Sequence, residues 1–462
     1  MKKMKKMLAL MLAMLMALSL VACGDKGGSS KPDSGKSDGP VEVLVWSAFQ
    51  APIDAELQAA ADAFNASQDK YKVKIQFQGQ FTEIFTKLTT TLNQKDLPEL
   101  TVVSTELAGT YAMAEGLIRP LSHYCSADDE VWAKLNGNLK YVWGNGDGDP
   151  IYYPYGNSLY GSFVNAEIFE AAGIDPYTAL TSTKGLYEAC KKLVDGGYCK
   201  YGIGVDSWGG FVWYALAAAG IQVMDNNNGR DGIPTKMLLD TPEVSAALYD
   251  YFYYFRKMQQ EGLMVPYGSS WGDEVLPAFA NGSCAVATGS IAAFIRVETA
   301  LAADPFAVAY VPCWSAVDLG SIPEGYSASG TGLGIVENGD EEAMEGAWEF
   351  IKFTSNPEFQ ESLCLASGYL PVTKEGYESA GYQDFVTNRF PAAAKAFELQ
   401  QNAAIDAKHI NPLNPVNNAC QDATQEAWSM IMTDLTCDIN EVIATMQKDT
   451  QIALDLWLDT NT

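Results

Sequence analysis

The chain has 462 residues, of which 48% are hydrophobic, and 57 acidic against 30 basic side chains give a formal net charge of −27. An acidic excess of this size excludes an electrostatic nucleic-acid binder and leaves any anionic ligand dependent on a local cluster of donors. The length exceeds the ~250–300 residues at which one core usually divides, so more than one lobe or domain is expected.

The N-terminus begins "MKKMKK" and continues as the uncharged run 7–22, "MLALMLAMLMALSLVA". A basic start and a short apolar stretch ending in small residues read as a secretory leader. The run is shorter than the ~20 residues needed to span a bilayer. Leu20-Val21-Ala22-Cys23-Gly24 reads as a lipobox, so residues 1–22 are expected to be cleaved and Cys23 to carry an acyl membrane anchor. Residues 23–40 hold Gly, Ser, Asp, Lys and Pro with nothing to bury, and read as a flexible tether. No later stretch is long and apolar enough to cross a membrane, so a soluble body is expected beyond it.

Globular composition starts at Val41. "VEVLVWS" predicts a strand, and the apolar spacing over Ile53–Asn65 predicts an amphipathic helix. "YKVKIQFQ" alternates as a strand, Phe81–Asn93 is helical, "LPELTVVST" starts another strand and Leu107–Gly116 another helix. This alternation predicts an α/β fold with a parallel or mostly parallel sheet, whose ligands sit beyond the carboxyl ends of the strands. Trp46, Gln78, Gly79 and Ser104–Glu106 fall at those ends. Phe163 to Val194 predicts two helical runs, "YGIGVDSW" a strand leading to Trp208, and Pro242–Glu261 a long helix. The "YDYFYYF" run at 249–255 reads as packing, given its helical spacing. "AFANGSCAVATGS" reads as a helix end, a turn and a buried strand. In "ASGYLPVT", Gly368 and Pro371 are ordinary helix-stop residues, and Tyr369 between them is either turn filler or a ligand contact.

Catalytic signatures are scarce. Only His123 and His409 are histidines, which leaves little room for a His-rich metal site or a Ser-His-Asp triad. Val205 occupies the first glycine position of a nucleophile elbow in "VDSWGG". "SGTGLGIVENG" breaks the dinucleotide fingerprint, and no P-loop occurs. The loops at 144–150 and 225–232 lack the glycine placement of a calcium loop and read as surface turns. No metal and no cofactor is expected. Paired carboxylates acting on a glycoside stay open as an alternative, since acids are abundant. Eight cysteines follow Cys23 without a Cys-x-x-Cys pair, and both buried free thiols and bridges stay open for them.

A set of short motifs runs in order along 41–460: "VLVWS", Phe64-Asn65, Glu106, Met113-Ala114, Ile118-Arg119-Pro120, Pro154–Phe169, Phe279–Ala285 and Gly368–Thr373. With these and the lipobox, the chain resembles the extracellular solute-binding proteins of ABC importers, family 1, in the branch that binds glycerol 3-phosphate and carbohydrates. The resemblance implies a two-lobed α/β fold of the periplasmic-binding-protein type II. It implies a cleft between lobe one, 41–155 plus about 305–365, and lobe two, 156–304 plus about 366–462. The matching positions imply ligand contacts from Glu106, Ser158, Trp208, Phe211, Ser290, Gly330, Tyr369 and His409. Trp46 is added from its strand-end position, with Trp271 and Trp314 as weaker candidates.

Departures from the family's pattern bear on the ligand. Phe77 and Phe81 replace a tyrosine pair, Phe211 replaces a tryptophan, and His409 stands where the relatives hold phosphate with arginine. A neutral sugar or polyol is therefore expected at least as much as glycerol 3-phosphate or a glycerophosphodiester. The implied partners are a membrane permease and a separate ATPase, with the protein itself a monomeric, non-catalytic carrier. A secreted carbohydrate-active enzyme and a sensor for a signalling receptor are the alternatives.

Overall fold

The computed structural model describes residues 39–91, 94–205 and 211–461. The leader, the lipobox cysteine Cys23, almost all of the tether and Trp208 lie outside the described residues.

The first strand, β1 (Val41–Ser47), is followed by the helix Ile53–Ser67, β2 (Tyr71–Phe77), the helix Phe81–Thr90 and β3 (Leu100–Ser104). β1 pairs in parallel with both β2 and β3. Alternation in the sequence selects this arrangement, because each crossover helix lays an apolar stripe on the sheet. The later strands are β4 (Ile118–Arg119), β5 (Tyr153–Asn165), β6 (Tyr201–Gly204), β7 (Cys284–Ser290), β8 (Val308–Pro312) and β9 (Ala328–Val336). The strand order is β2-β1-β3-β9-β5-β7-β6, with β4 on β9 and β8 on β5.

The sheet is mixed, which corrects the expectation of a mostly parallel one. β9 runs antiparallel to β3, β4 and β5, and β5 runs antiparallel to β7 and β8. These partners lie more than a hundred residues apart, and local periodicity carries no record of them. Phe163 is also corrected: it lies within β5 rather than in a helix, and the helices of that zone are Ala166–Ala171, Pro176–Ala179 and Thr183–Asp195.

β5 organises the molecule around the site. Its first half, from Tyr153 to Leu159, pairs with β9, and its second half, from Tyr160 to Asn165, pairs with β7 and β8. The strand therefore changes partners between Leu159 and Tyr160. A register shift between Pro154 and Gly156 bends it just before that point.

Two apolar clusters fill the interior. One gathers Val43, Val45, Leu100, Val102, Leu333 and Ile335, joined by Leu363, Leu370 and Phe397. The other gathers Ile203, Leu248, Phe252, Val286 and Trp428, joined by Ile443 and Leu454. The "YDYFYYF" run lies on the helix Pro242–Gln260, where Tyr251, Phe252 and Phe255 are buried in the second cluster. All eight described cysteines are free, six of them buried. No helix among the described residues is long and apolar enough to cross a membrane.

Candidate ligand-binding cleft

Beyond the carboxyl ends of β2 and β3 lies a cleft of about 430 Å³, within the range of small-molecule sites. Its walls come from several separate elements. The turn after β3 supplies Ser104 and Glu106, and the start of the helix Phe81–Thr90 supplies Gln80, Phe81 and Thr82. The partner change of β5 supplies Ser158 and Tyr160, next to Ser290 at the end of β7. Ser329, Gly330 and Thr331 on β9, Tyr369 and Gln421 complete it.

Each polar group is positioned by the fold. Glu106 sits on a single helical turn, Thr105–Leu107, and its carboxylate accepts a hydrogen bond from the Tyr214 hydroxyl. Burial, and then the Glu106 charge beside it, push the Tyr214 phenol well above its ordinary value, so it stays a donor. Ser158 and Ser290 face each other with hydroxyl oxygens 2.5 Å apart. Ser290 also caps the following turn, where its Oγ accepts from the Ala292 N–H at 3.2 Å. Ser329 is 1% exposed and its hydroxyl has no hydrogen-bond partner among the described residues. A buried hydroxyl left without a partner costs stability, so a ligand oxygen here would recover that cost.

Tyr369 does two jobs. The helix Pro357–Ser367 ends at Gly368, whose φ of 81° is left-handed and suits glycine. Tyr369 follows with its N–H donating to Ser367 Oγ at 3.1 Å. The Leu370 N–H donates to the Asn157 carbonyl at 2.8 Å, which latches the turn onto β5. Asn157 is in turn locked by a reciprocal amide pair with Gln400 at 2.8 and 2.9 Å. The ring then lies over Gly156 and borders the cleft. Burial pushes its phenol up to about 12.

Five positions named from the sequence, Glu106, Ser158, Ser290, Gly330 and Tyr369, thus meet around one cleft. Three others do not line it. Trp46 is 7% exposed within the first apolar cluster. Phe211 is buried in the second, stacked on Trp314 with ring centroids 5.7 Å apart. His409 sits on a loop, where Nδ1 meets the Asp406 carboxylate at 2.9 Å and its ring packs against Gly220 and Gly325. Phe77, at the end of β2, is 58% exposed. Gln80, Thr82, Tyr160, Ser329, Thr331 and Gln421 carried no sequence signal, since isolated polar residues at strand and helix ends look like any surface turn. Among the described residues, no three or more His, Cys, Asp or Glu side chains stand together as a metal site would require.

The bacterial extracellular solute-binding protein family matches residues 59–390. The chain belongs to that family. Its fold is that of solved binding proteins. The cyclic alpha-maltosyl-1,6-maltose binding protein of Arthrobacter globiformis superposes with a TM-score of 0.69 at 21% identity, covering 90% of this chain and 100% of that one. UgpB from Mycobacterium tuberculosis, solved with glycerophosphocholine, gives a TM-score of 0.69 at 18% identity, covering 91% and 100%. In sequence, the sn-glycerol-3-phosphate-binding periplasmic protein UgpB of Rhizobium meliloti (strain 1021) is 25% identical over 350 residues, 74% of this chain and 78% of that relative. The likeness to an extracellular solute-binding family agrees with the two-lobed α/β fold expected from the sequence.

Proposed function

We propose that this solute-binding protein captures a carbohydrate or polyol in the cleft around Glu106 and Tyr369 and passes it to a membrane permease served by a separate ATPase. The observation that carries this reading is the cleft's lining. A carboxylate, several serine and threonine hydroxyls and two glutamine amides surround a space edged by Phe81, Tyr160 and Tyr369. Hydroxyl-rich ligands need this mixture: acceptors and donors for their OH groups, and ring faces for their CH groups. Relatives that bind glycerol 3-phosphate, and structural neighbours that bind maltosyl sugars or glycerophosphocholine, support the same ligand class.

Capture proceeds by closure. The open cleft admits the solute, both lobes contact it, and the closed form prevails only by as much as it binds the solute better. The lobe division inferred from the sequence, 41–155 plus about 305–365 against 156–304 plus about 366–462, belongs to this proposal. So does anchoring of a monomer at the outer membrane face through an acyl chain on Cys23.

The test is the melting temperature of the chain from Gly24 onward against polyols, monosaccharides, short oligosaccharides, glycerol 3-phosphate and glycerophosphodiesters. A solute at 100-fold its Kd stabilises the native state by ~2.7 kcal/mol, a readily measured shift. A shift with members of this panel supports the reading. A flat response across all of them contradicts it.

A further inference from the structure

Glu106 and Gln421 border a second, much smaller cavity as well as the cleft. It measures about 20 Å³, above the ~10–15 Å³ that a single water needs and too small for a sugar or a phosphate. Its other walls are the helix Phe211–Ala218, through Trp213 and Tyr214, the loop 411–414, and Asn417 at the start of the helix Asn417–Thr433.

Three of these residues carry a buried polar atom that meets no hydrogen-bond partner among the described residues: Trp213 Nε1, Asn411 Oδ1 and Asn417 Nδ2. Asn411 is 9% exposed. Its backbone is pinned on both sides, which holds the residue in the wall. The Asn411 N–H donates to Ser327 Oγ at 3.0 Å, and its carbonyl accepts from the Arg230 guanidinium at 3.1 Å. The Trp213 indole can only donate, and the neighbouring Tyr214 already directs its hydroxyl proton to Glu106 Oε1.

The chemistry of that set decides the occupant. The N–H donors of Trp213 and Asn417 disfavour a cation, and the Glu106 carboxylate disfavours an anion. A water molecule accepts from the donors and donates to the oxygens, and a buried water ordinarily makes about three hydrogen bonds. Each buried polar group without a partner costs stability, so one water offsets several such costs together.

We propose that this cavity holds one ordered water that bridges Trp213, Asn411 and Asn417 to Glu106. Trp213 and Asn417 are then positioning residues: neither lines the cleft, and both act on the solute through the Glu106 carboxylate. Tyr214 supports that carboxylate directly, and the water adds a second support. This rests on the reading of the cleft as the solute site. It goes beyond that reading in assigning a water site and two residues that set affinity from outside the cleft.

The test has two arms, both on the chain from Gly24 onward. The first needs no solute. In protein with isotope-labelled indole nitrogens, the Trp213 Nε1–H resonance is assigned by its loss in Trp213→Phe. It should show a magnetisation-transfer peak to water with the sign of a long-lived bound molecule. Its absence would overturn the water site while leaving the solute-binding reading intact. The second arm is calorimetric titration of maltose, ribitol and glycerol 3-phosphate, as probes, into wild type, Trp213→Phe, Glu106→Ala and the double variant. Trp213→Phe should weaken the tightest-binding probe by about 3- to 10-fold, the range of one hydrogen bond. Once Glu106 is alanine, the same change should matter by less than about 2-fold, because the two positions act as one unit. An equal loss in both backgrounds would mark a merely structural role and overturn the positioning. Asn417→Ala, run through the same cycle, should give the same pattern, and it carries the test should Trp213→Phe fail to fold. Binding of none of the probes by the wild type would remove the reading of the cleft and the positioning role with it, while the first arm decides the water site independently.

Discussion

Ser158 and Ser290 are 132 residues apart in the chain, yet their hydroxyl oxygens lie 2.5 Å from each other at the edge of the cleft. The contact exists because β5 changes partners there, with Tyr160 paired to Ser290 on β7 and Ser158 paired to Ser329 on β9. Three serines from three strands therefore converge. Ser158→Ala and Ser290→Ala should each weaken solute binding by about 3- to 10-fold, the range expected for one neutral hydrogen bond. The double variant should lose less than the product of the two, since the hydroxyls act on each other. Titration of the four proteins measures the coupling; strictly multiplicative losses would contradict it.

Glu106 is the one carboxylate among the cleft's described residues, and Tyr214 holds it from behind. Glu106→Gln preserves the shape and a hydrogen-bonding oxygen but removes the charge. It should leave the melting temperature of the unliganded protein within a few degrees and weaken binding by about 10- to 100-fold, because hydrogen bonds to a charged group contribute about 1.5–3 kcal/mol. Tyr214→Phe should give a smaller loss of the same kind. Wild-type affinity in Glu106→Gln would remove this residue from the site.

Gly156 is small because Tyr369 needs the space. A Cβ there would stand 2.5 Å from Tyr369 Cε2 and 2.9 Å from Thr331 Oγ1. Gly156→Ala should cost about 1–3 kcal/mol through overpacking and displace the ring from the cleft. Tyr369→Phe should keep the fold and lose part of the affinity, whereas Tyr369→Ala should lower both. Urea unfolding and titration, run on the same samples, separate the two effects. Full affinity in both Tyr369 variants would mean that the tyrosine serves only the turn.

The legible part of this molecule is the local part. β1 begins and ends where the alternation of "VEVLVWS" places it, and the helix Pro242–Gln260 fills its predicted span. β5 escaped notice because Pro154, Gly156, Asn157 and Gly161 punctuate it like a loop. Those residues fit a strand only because its neighbours supply what they lack: Gly156 admits Tyr369, and Asn157 meets Gln400. The antiparallel pairs of β9 were invisible for a related reason, since strand partners distant in sequence leave no periodic trace. At the cleft, Glu106 could be named from the end of its predicted strand and Tyr369 raised from its turn, whereas Ser158, Ser290 and Gly330 could be named only through their motif neighbours. Ser329 and Gln421 have no such neighbours, and only the assembled fold singles them out.

The cysteines give a pH test. Burial pushes the Cys125 and Cys199 thiols up to about 11 and those of Cys284 and Cys420 up to about 12, from an ordinary value of 9.0. A group raised in the folded state contributes stability that is complete below its unfolded pKa. That contribution is lost as pH rises through the folded value. The urea midpoint should therefore fall between pH 9 and pH 12 beyond any change seen below pH 8. At pH 8 these four thiols should resist alkylation in the native protein and react once it is unfolded. Disulfide-linked peptides in a non-reducing digest would contradict the free thiols.

The central claim is that one cleft, built by the Glu106 turn, the partner change of β5 and the Tyr369 turn, takes up the solute. The most direct measurement is calorimetric titration of the solute that gives the largest melting shift, with wild type, Glu106→Gln and Tyr369→Ala compared at one pH. The account predicts a single site in the wild type and at least a 10-fold loss of affinity in each variant. Unchanged affinity in both variants, with both folded, would place the solute elsewhere and contradict it.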